Sequence, residues 1–364
     1  MSATSSNPPA RPGSAGTTAE PPRADTSVNT SSAISANTAT TSTGTSASAS
    51  RGAATGDHVR AGAGASRGTD ERVSRLSSLS LKRVVEPDES VKGSVGEGQL
   101  LPDELLSIAG LDVDLTAQQR LTLSREEIAS IAAVGVRFES ILMAGFAMDI
   151  LRRDLTDPRV TYILHEVGEE TRHSRLFLRM IDQLKPRAKN PFTGRIARAV
   201  QRVVVPLLTS MPATFCVAVL TGEEIPDLFQ KLASEHPDTD PFVREVNRYH
   251  RQEEARHLAF ARMILPELWE KASFLDRMMV RHVAPLVAGG MFDTMVNPGV
   301  YEVVGLPGWK TWRAANRTEQ RLDLKHQALR PLLAALTDAG ALTPGRIPSA
   351  WRRVCGVDRQ GKPA

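Results

Sequence analysis

Cysteine is scarce in this chain: Cys216 and Cys355 are the only two among 364 residues, and they share no motif. A disulfide framework is therefore excluded, and a reducing cytoplasm fits. Charge of one sign is also lacking. The net charge of +4 is too small to argue for a nucleic-acid partner, and no basic stripe interleaved with aromatics occurs. No continuous apolar stretch follows Met1, so no secretory signal is expected. The Ser/Ala-rich, basic N-terminus resembles a transit peptide in composition, but its Pro and Gly content and its lack of an amphipathic face argue against one. Long apolar runs are nearly absent. Residues 203–222 carry no charge over 20 positions, a spanning length, yet Pro206, Thr209, Ser210, Pro212, Thr214 and Thr221 interrupt them. A buried helix after a proline break is the expectation, with no membrane association.

What is present divides into three parts. Residues 1–95 are dominated by Ser, Thr, Ala, Gly, Pro and Arg without apolar periodicity. Such a segment cannot bury enough apolar surface to offset its ordering entropy, so a disordered tail is expected. Residues 96–345 read as a helical domain and 346–364 as a C-terminal extension. Within the domain the pattern predicts a short helix over 102–109. A long helix is expected from an N-cap at Ser124, with Glu126 and Glu127 in its first turn, to about 153. Asp157-Pro158 opens a helix to about 184, and a loop covers 185–193. Further helices are expected over 196–208, 213–234, 242–264, from Pro266 onward, 277–296 and 317–336. No alternating pattern is long enough for a sheet, so the class is all-α.

The most informative feature is a pentapeptide that occurs twice. Glu169-Glu170-Thr171-Arg172-His173 recurs 84 residues later as Glu253-Glu254-Ala255-Arg256-His257. Glu139 precedes Glu170 by 31 residues, and Glu223 precedes Glu254 by the same interval. The chain thus contains Glu…Glu-x-x-His twice, the ligand pattern of a two-metal carboxylate centre in a four-helix bundle. Glu and His at i and i+3 share one helix face. Turns at 156–158 and 236–241 fall between the paired acids, so folding each half as a hairpin brings all four acids to mid-bundle.

Helix glutamates are usually solvated, but Glu139 is surrounded by Val136, Phe138, Ile141, Leu142 and Phe146. An unpaired carboxylate buried there would cost roughly several kcal/mol, which a metal removes. The equal spacing selects Glu223 as ligand and leaves Glu224 as the alternative. Glu169 and Glu253 read either as surface residues or as acceptors for the far ring nitrogen of a ligand histidine across the bundle. His250 lies on the stripe of Glu254 and His257, where the first half has Glu166. It reads as an ordinary helix histidine or as a third imidazole ligand. Phe138, Met143, Phe146, Phe215 and Met291 read as core. Carboxylates and imidazoles without thiolate suit iron or manganese better than zinc or calcium.

Glu139, Glu170-x-x-His173, Glu223 and His250-x-x-x-Glu254-x-x-His257 resemble the p-aminobenzoate N-oxygenase family of diiron oxygenases. The resemblance covers about 121–264 in motif and extends to about 336 in architecture. It implies a ferritin-like four-helix bundle with additional helices, two iron ions and O₂ as co-substrate. The reaction it implies is oxidation of an arylamine, or another amine of a small molecule, towards a nitroso or nitro group. Glu139, Glu170, His173, Glu223, Glu254 and His257 would be shared ligands, with His250 the additional one. A homodimer is also implied. The chain shows no flavin motif or CxxC, so electrons are expected from a separate reductase or ferredoxin. The competing expectations are a diiron C–H hydroxylase or desaturase, a ferritin-like iron-binding protein without oxygenase turnover, and a bundle that only binds partners.

Overall fold

The computed structural model describes residues 57–82 and 84–364. Its α-helices are α1 (Asp57–Lys82), α2 (Pro87–Ser90), α3 (Ala117–Ile150), α4 (Pro158–Leu184), α5 (Arg195–Thr209), α6 (Pro212–Glu235) and α7 (Pro241–Glu270). They continue as α8 (Phe274–Met278), α9 (Ala284–Thr294), α10 (Pro298–Val303), α11 (Gly308–Ala315), α12 (Glu319–Asp338) and α13 (Ser349–Cys355). A π-helical turn, Met279–Val283, joins α8 to α9. No strand occurs among the described residues. The architecture is a ferritin-like four-helix bundle with additional helices. The hairpins α3–α4 and α6–α7 form the bundle, α1 lies on α4 and α7, and α12 lies on α6.

Local chemistry sets the ends of the four long helices. Thr116 and Gln119 form a capping box at the start of α3. Asp157 and Asp240 cap α4 and α7, each followed by proline at the first turn, where a missing N–H costs nothing. Apolar residues then divide along the bundle. One cluster holds Leu142, Ile163, Leu220, Leu258 and Leu265 toward one end. The other holds Leu123, Ile128, Leu176, Val243 and Val246 toward the opposite end. The repeated Glu and His positions fall between these clusters on every helix.

Several boundaries differ from the sequence expectation. The tail expected over 1–95 is corrected from residue 57 onward, while residues 1–56 and 83 lie outside the described residues. In α1, Val73 is fully buried with Ser77 and Ser80 beside it. That stripe is too poor in apolar residues to register as periodic. Helix α3 starts at Ala117, not Ser124. Glu126 accepts from the Arg187 and Ala188 amides, and Glu127 from the Ser107 amide, so these acids pin neighbouring loops instead of capping α3. The expected helix over 102–109 reduces to a 3₁₀ turn, Asp103–Leu105. Helix α7 runs through Pro266, because buried Leu265 and Trp269 hold the chain helical despite one lost hydrogen bond.

The uncharged stretch 203–222 does not form one rod: α5 and α6 meet at 113°. Helix α3 is the one helix among the described residues that is long and apolar enough to cross a membrane. It nevertheless buries Glu126, Glu127 and Glu139 within the bundle.

The segment expected to be an extension, 346–364, joins the core. Trp351 is fully buried and donates from Nε1 to the Val280 carbonyl at 3.1 Å. Trp351→Ala should therefore cost about 3–5 kcal/mol. Thermal denaturation checks this, and an unchanged Tm would show that α13 is not part of the core.

Candidate metal centre

Helix α3 brings Glu139 to mid-bundle, α4 brings Glu170 and His173, α6 brings Glu223, and α7 brings His250, Glu254 and His257. Each of these seven side chains is at most 2 % exposed. Donor atoms of Glu139, His173, His250 and Glu254 lie within 4.8 Å of one another, as do those of Glu170, Glu254 and His257, and those of Glu139, Glu170 and Glu223. Glu170 and Glu254 reach both halves. His173 Nδ1 lies 3.3 Å from Glu170 and 3.0 Å from Glu254, and His257 Nδ1 lies 3.1 Å and 2.9 Å from the same two acids. Glu224 turns away from this group to pair with Arg262.

The far side of each histidine is held by a partner of its own. His173 Nε2 meets Glu253 at 3.0 Å, and His257 Nε2 meets Glu169 at 2.7 Å, each bond crossing between α4 and α7. A carboxylate acceptor places the proton on Nε2 and turns Nδ1 toward the centre. Arg256 donates to Glu169 at 2.8 Å, and Arg172 lies 3.5 Å from Glu253. His250 is mounted the other way round. Its Nδ1 donates to the Gln230 amide oxygen at 3.0 Å, and its Nε2 lies 3.3 Å from Glu139. Gln230 carried no sequence signal, because a glutamine seven residues past Glu223 is unremarkable until α7 packs against it.

Burial and neighbouring charge determine the protonation of these groups. Burial, reinforced by Glu170, holds Glu139 well above the usual carboxylate range. Burial and Glu254 do the same to Glu223. Burial also opposes ionisation of Glu170, but Glu139, His257 and His173 outweigh it and bring that carboxyl down to about 2. Burial lowers the imidazolium forms of His173 and His257, yet surrounding carboxylates win and raise both well above the usual range. His250, with a neutral amide behind it, is lowered to about 4 by burial and by His173. Glu166, at the position on α4 matching His250, is buried and pushed up to about 8.

The residues fit a pair of metal ions. Glu139 Oε2 and Glu223 Oε1 are buried and accept no hydrogen bond. Orphaned carboxylate oxygens are costly in a protein interior unless a cation faces them. An apolar cavity of about 730 Å³, its mouth included, opens against Glu139, Glu223 and His250. Phe138 and Met291, expected as core, line it together with Phe177, Met180, Ile225 and Phe229. Gly222 admits the Phe138 ring: a Cβ there would lie 1.6 Å from Phe138 Cζ.

Comparison with known proteins agrees with this geometry. Residues 67–340 match the family model described as P-aminobenzoate N-oxygenase AurF. The uncharacterized proteins Mb0909 of Mycobacterium bovis and Rv0885 of Mycobacterium tuberculosis are each 31% identical over 171 residues. That span is 47% of this chain and 50% of theirs, so the chain covers about half the length of these relatives. No solved structure matches.

Glu223 and Glu224 are separable by experiment. Glu223→Ala should lower bound metal from about two ions per chain to one or fewer, while Glu224→Ala keeps the full complement. Metal analysis of the purified variants decides, and the opposite pattern would exchange their roles.

Metal loading should also release protons. Glu139, Glu223, His173 and His257 all have raised pKa values, so they retain protons at neutral pH that a metal must displace. Affinity then rises with pH, by about ten-fold per pH unit for each proton displaced. Calorimetry in two buffers of different ionisation enthalpy measures the release, and pH-independent binding would contradict this assignment.

Proposed function

Because the chain belongs to the p-aminobenzoate N-oxygenase family, we propose that it is an O₂-dependent non-haem diiron oxygenase acting on the nitrogen of an arylamine or another small-molecule amine. The observation that carries this reading is the convergence of four carboxylates and three imidazoles at mid-bundle, three of which, Glu139, Glu223 and His250, line an apolar cavity. Glu139, Glu170, Glu223, Glu254, His173, His250 and His257 would hold two irons. When bound, such a pair supplies the redox chemistry that reduces O₂ and delivers oxygen to the amine. Electrons come from a separate reductase or ferredoxin.

The chain's own residues do the rest. Glu170 and Glu254 each face both Nδ1 atoms, so each would contribute its carboxylate to the metal pair held there. Glu169 and Glu253 fix the tautomer of His257 and His173, so each ring is oriented before any metal arrives. Arg256 and Arg172 balance the charge of those two acids. Phe138, Phe177 and Phe229 form walls that exclude bulk water from the ligand side of the cavity. Gln230 orients His250 without adding charge.

The test starts from protein purified from iron-supplemented cells. Bound iron should be about two per chain. The reduced protein is then mixed with O₂ and a panel of aryl and alkyl amines, with products read by mass spectrometry. Oxygen added at nitrogen is the expected outcome. Oxygen at carbon would make the protein a C–H hydroxylase, and iron oxidation without an organic product would make it a ferritin-like iron-binding protein.

A further inference from the structure

We propose that the substrate of this site is an uncharged arylamine with an apolar body, and that free p-aminobenzoate, with its carboxylate, is a poor ligand. This rests on the preceding reading of the site and goes beyond it by fixing the charge of the substrate.

The cavity wall carries the argument. Among the described residues the ionisable groups on it are Glu139, Glu223 and His250, all assigned to the metal centre, and no described lysine or arginine lines it. Other cavities of the protein do hold arginine: Arg248 and Arg256 line one, Arg321 another, and Arg152 and Arg153 a third. A benzoate carboxylate entering the apolar cavity would lose its water and find no cation. It would instead face two more carboxylates. Nor would the loaded centre attract it, since Glu139, Glu170, Glu223 and Glu254 together match the charge of two divalent ions.

Two neutral amides supply what polarity the cavity has. Asn247 uses its Nδ2 donor on the Val243 carbonyl at 2.9 Å, so it offers the cavity its Oδ1 acceptor. Gln230 uses Oε1 on His250, so it offers its Nε2 donor. One acceptor and one donor suit an amine N–H and a neutral carbonyl or ether. The rest of the lining, including Ile128, Val134, Met180 and Met295, is apolar and would pack against an apolar ligand body.

The arginines beside His257 offer the alternative location for an anion, but they are already engaged. Arg153 pairs with Asp149 at 2.7 Å and Asp157 at 3.0 Å, and Arg152 donates to the Thr209 carbonyl at 2.6 Å.

The experiment measures equilibrium binding by calorimetry to protein loaded with iron(II) and kept free of O₂. Three ligands of similar shape are compared: p-aminobenzoate, its methyl ester and its amide. The ester and amide should bind about ten-fold or more tightly than the acid. Val134→Arg, at the half-buried rim, supplies a cation and should reverse the order. Met291→Lys is the second variant should the first not fold. Equal binding of acid and ester by the unaltered protein would overturn the proposal, as would failure of all three to bind. Acid binding that is lost in Arg152→Ala would overturn it too, by moving the ligand to the other cavity. Because binding is read without turnover, the two readings fail separately. A neutral amine that binds but is oxidised at carbon would sink N-oxygenation and leave the charge preference standing. Efficient N-oxygenation of the free acid would do the reverse.

Discussion

The structure depends on neutralising a concentration of charge that a helical bundle would otherwise reject. Glu139, Glu170, Glu223 and Glu254 meet at a depth where each is at most 2 % exposed. Burying even one unpaired carboxylate costs several kcal/mol, a large fraction of a domain's net stability, which is about 5–15 kcal/mol. Three imidazoles are interleaved with the acids, and the raised pKa of His173 and His257 measures how strongly the acids demand positive charge. A pair of metal ions answers the same demand while leaving the histidines neutral. Outside this layer, Arg172 and Arg256 sit against Glu169 and Glu253, so the outer acids are balanced separately. The outer acids remain ion-paired on one side while they accept from the ligand rings on the other.

Holding that geometry requires rigid supports above and below it. One apolar cluster lies toward the α3–α4 turn and the other toward the α6–α7 turn, with the acids between them. Capping residues at Thr116, Asp157 and Asp240 fix where α3, α4 and α7 begin, and so where the ligands sit along them. Further polar anchors tie peripheral segments to the bundle. Glu126 and Glu127 hold two loops, and Asp276 accepts from the Ala213 and Thr214 amides at the first turn of α6. The last bond satisfies backbone donors exposed by the 113° bend between α5 and α6.

These anchors mark the limit of what the sequence discloses. The repeated Glu-x-x-His and the equal 31-residue spacing are local and periodic, so the mid-bundle cluster was legible before any coordinates. The Asp-Pro helix starts at 157 and 240 were legible for the same reason. Glu126 and Glu127 were misread because an acid in a first turn and an acid holding a distant loop look identical in one dimension. Helix α1 was missed because its buried face places only Val73 and Leu76 beside Ser77 and Ser80, within a segment that is polar overall. Pro266 was read as a boundary because the penalty of a proline is local, whereas the burial of Leu265 and Trp269 that outweighs it is tertiary. The cavity was unreadable because Phe138 and Met291 differ from core residues only in what they face.

The two halves of the bundle are related by an 84-residue repeat, and the departures from it are as informative as the agreement. Glu139 matches Glu223, Glu169 matches Glu253, and Arg172 matches Arg256, so the metal layer and its outer support are two-fold. Three of the departures fall at the site. His250 stands opposite Glu166, Gln230 opposite Phe146, and Gly222 opposite Phe138. The first two breaks act together: an imidazole needs an acceptor behind it, and Gln230 supplies one where Phe146 could not. The third shapes the wall. Phe138 and Gly222 touch across the repeat, and a side chain on both would collide, since a Cβ at 222 falls inside the Phe138 ring. A strictly two-fold bundle could thus hold two metals but could not form this cavity on one side of them. Metal binding asks the halves to be alike, an apolar cavity on one side asks them to differ, and both demands are met within the same helices.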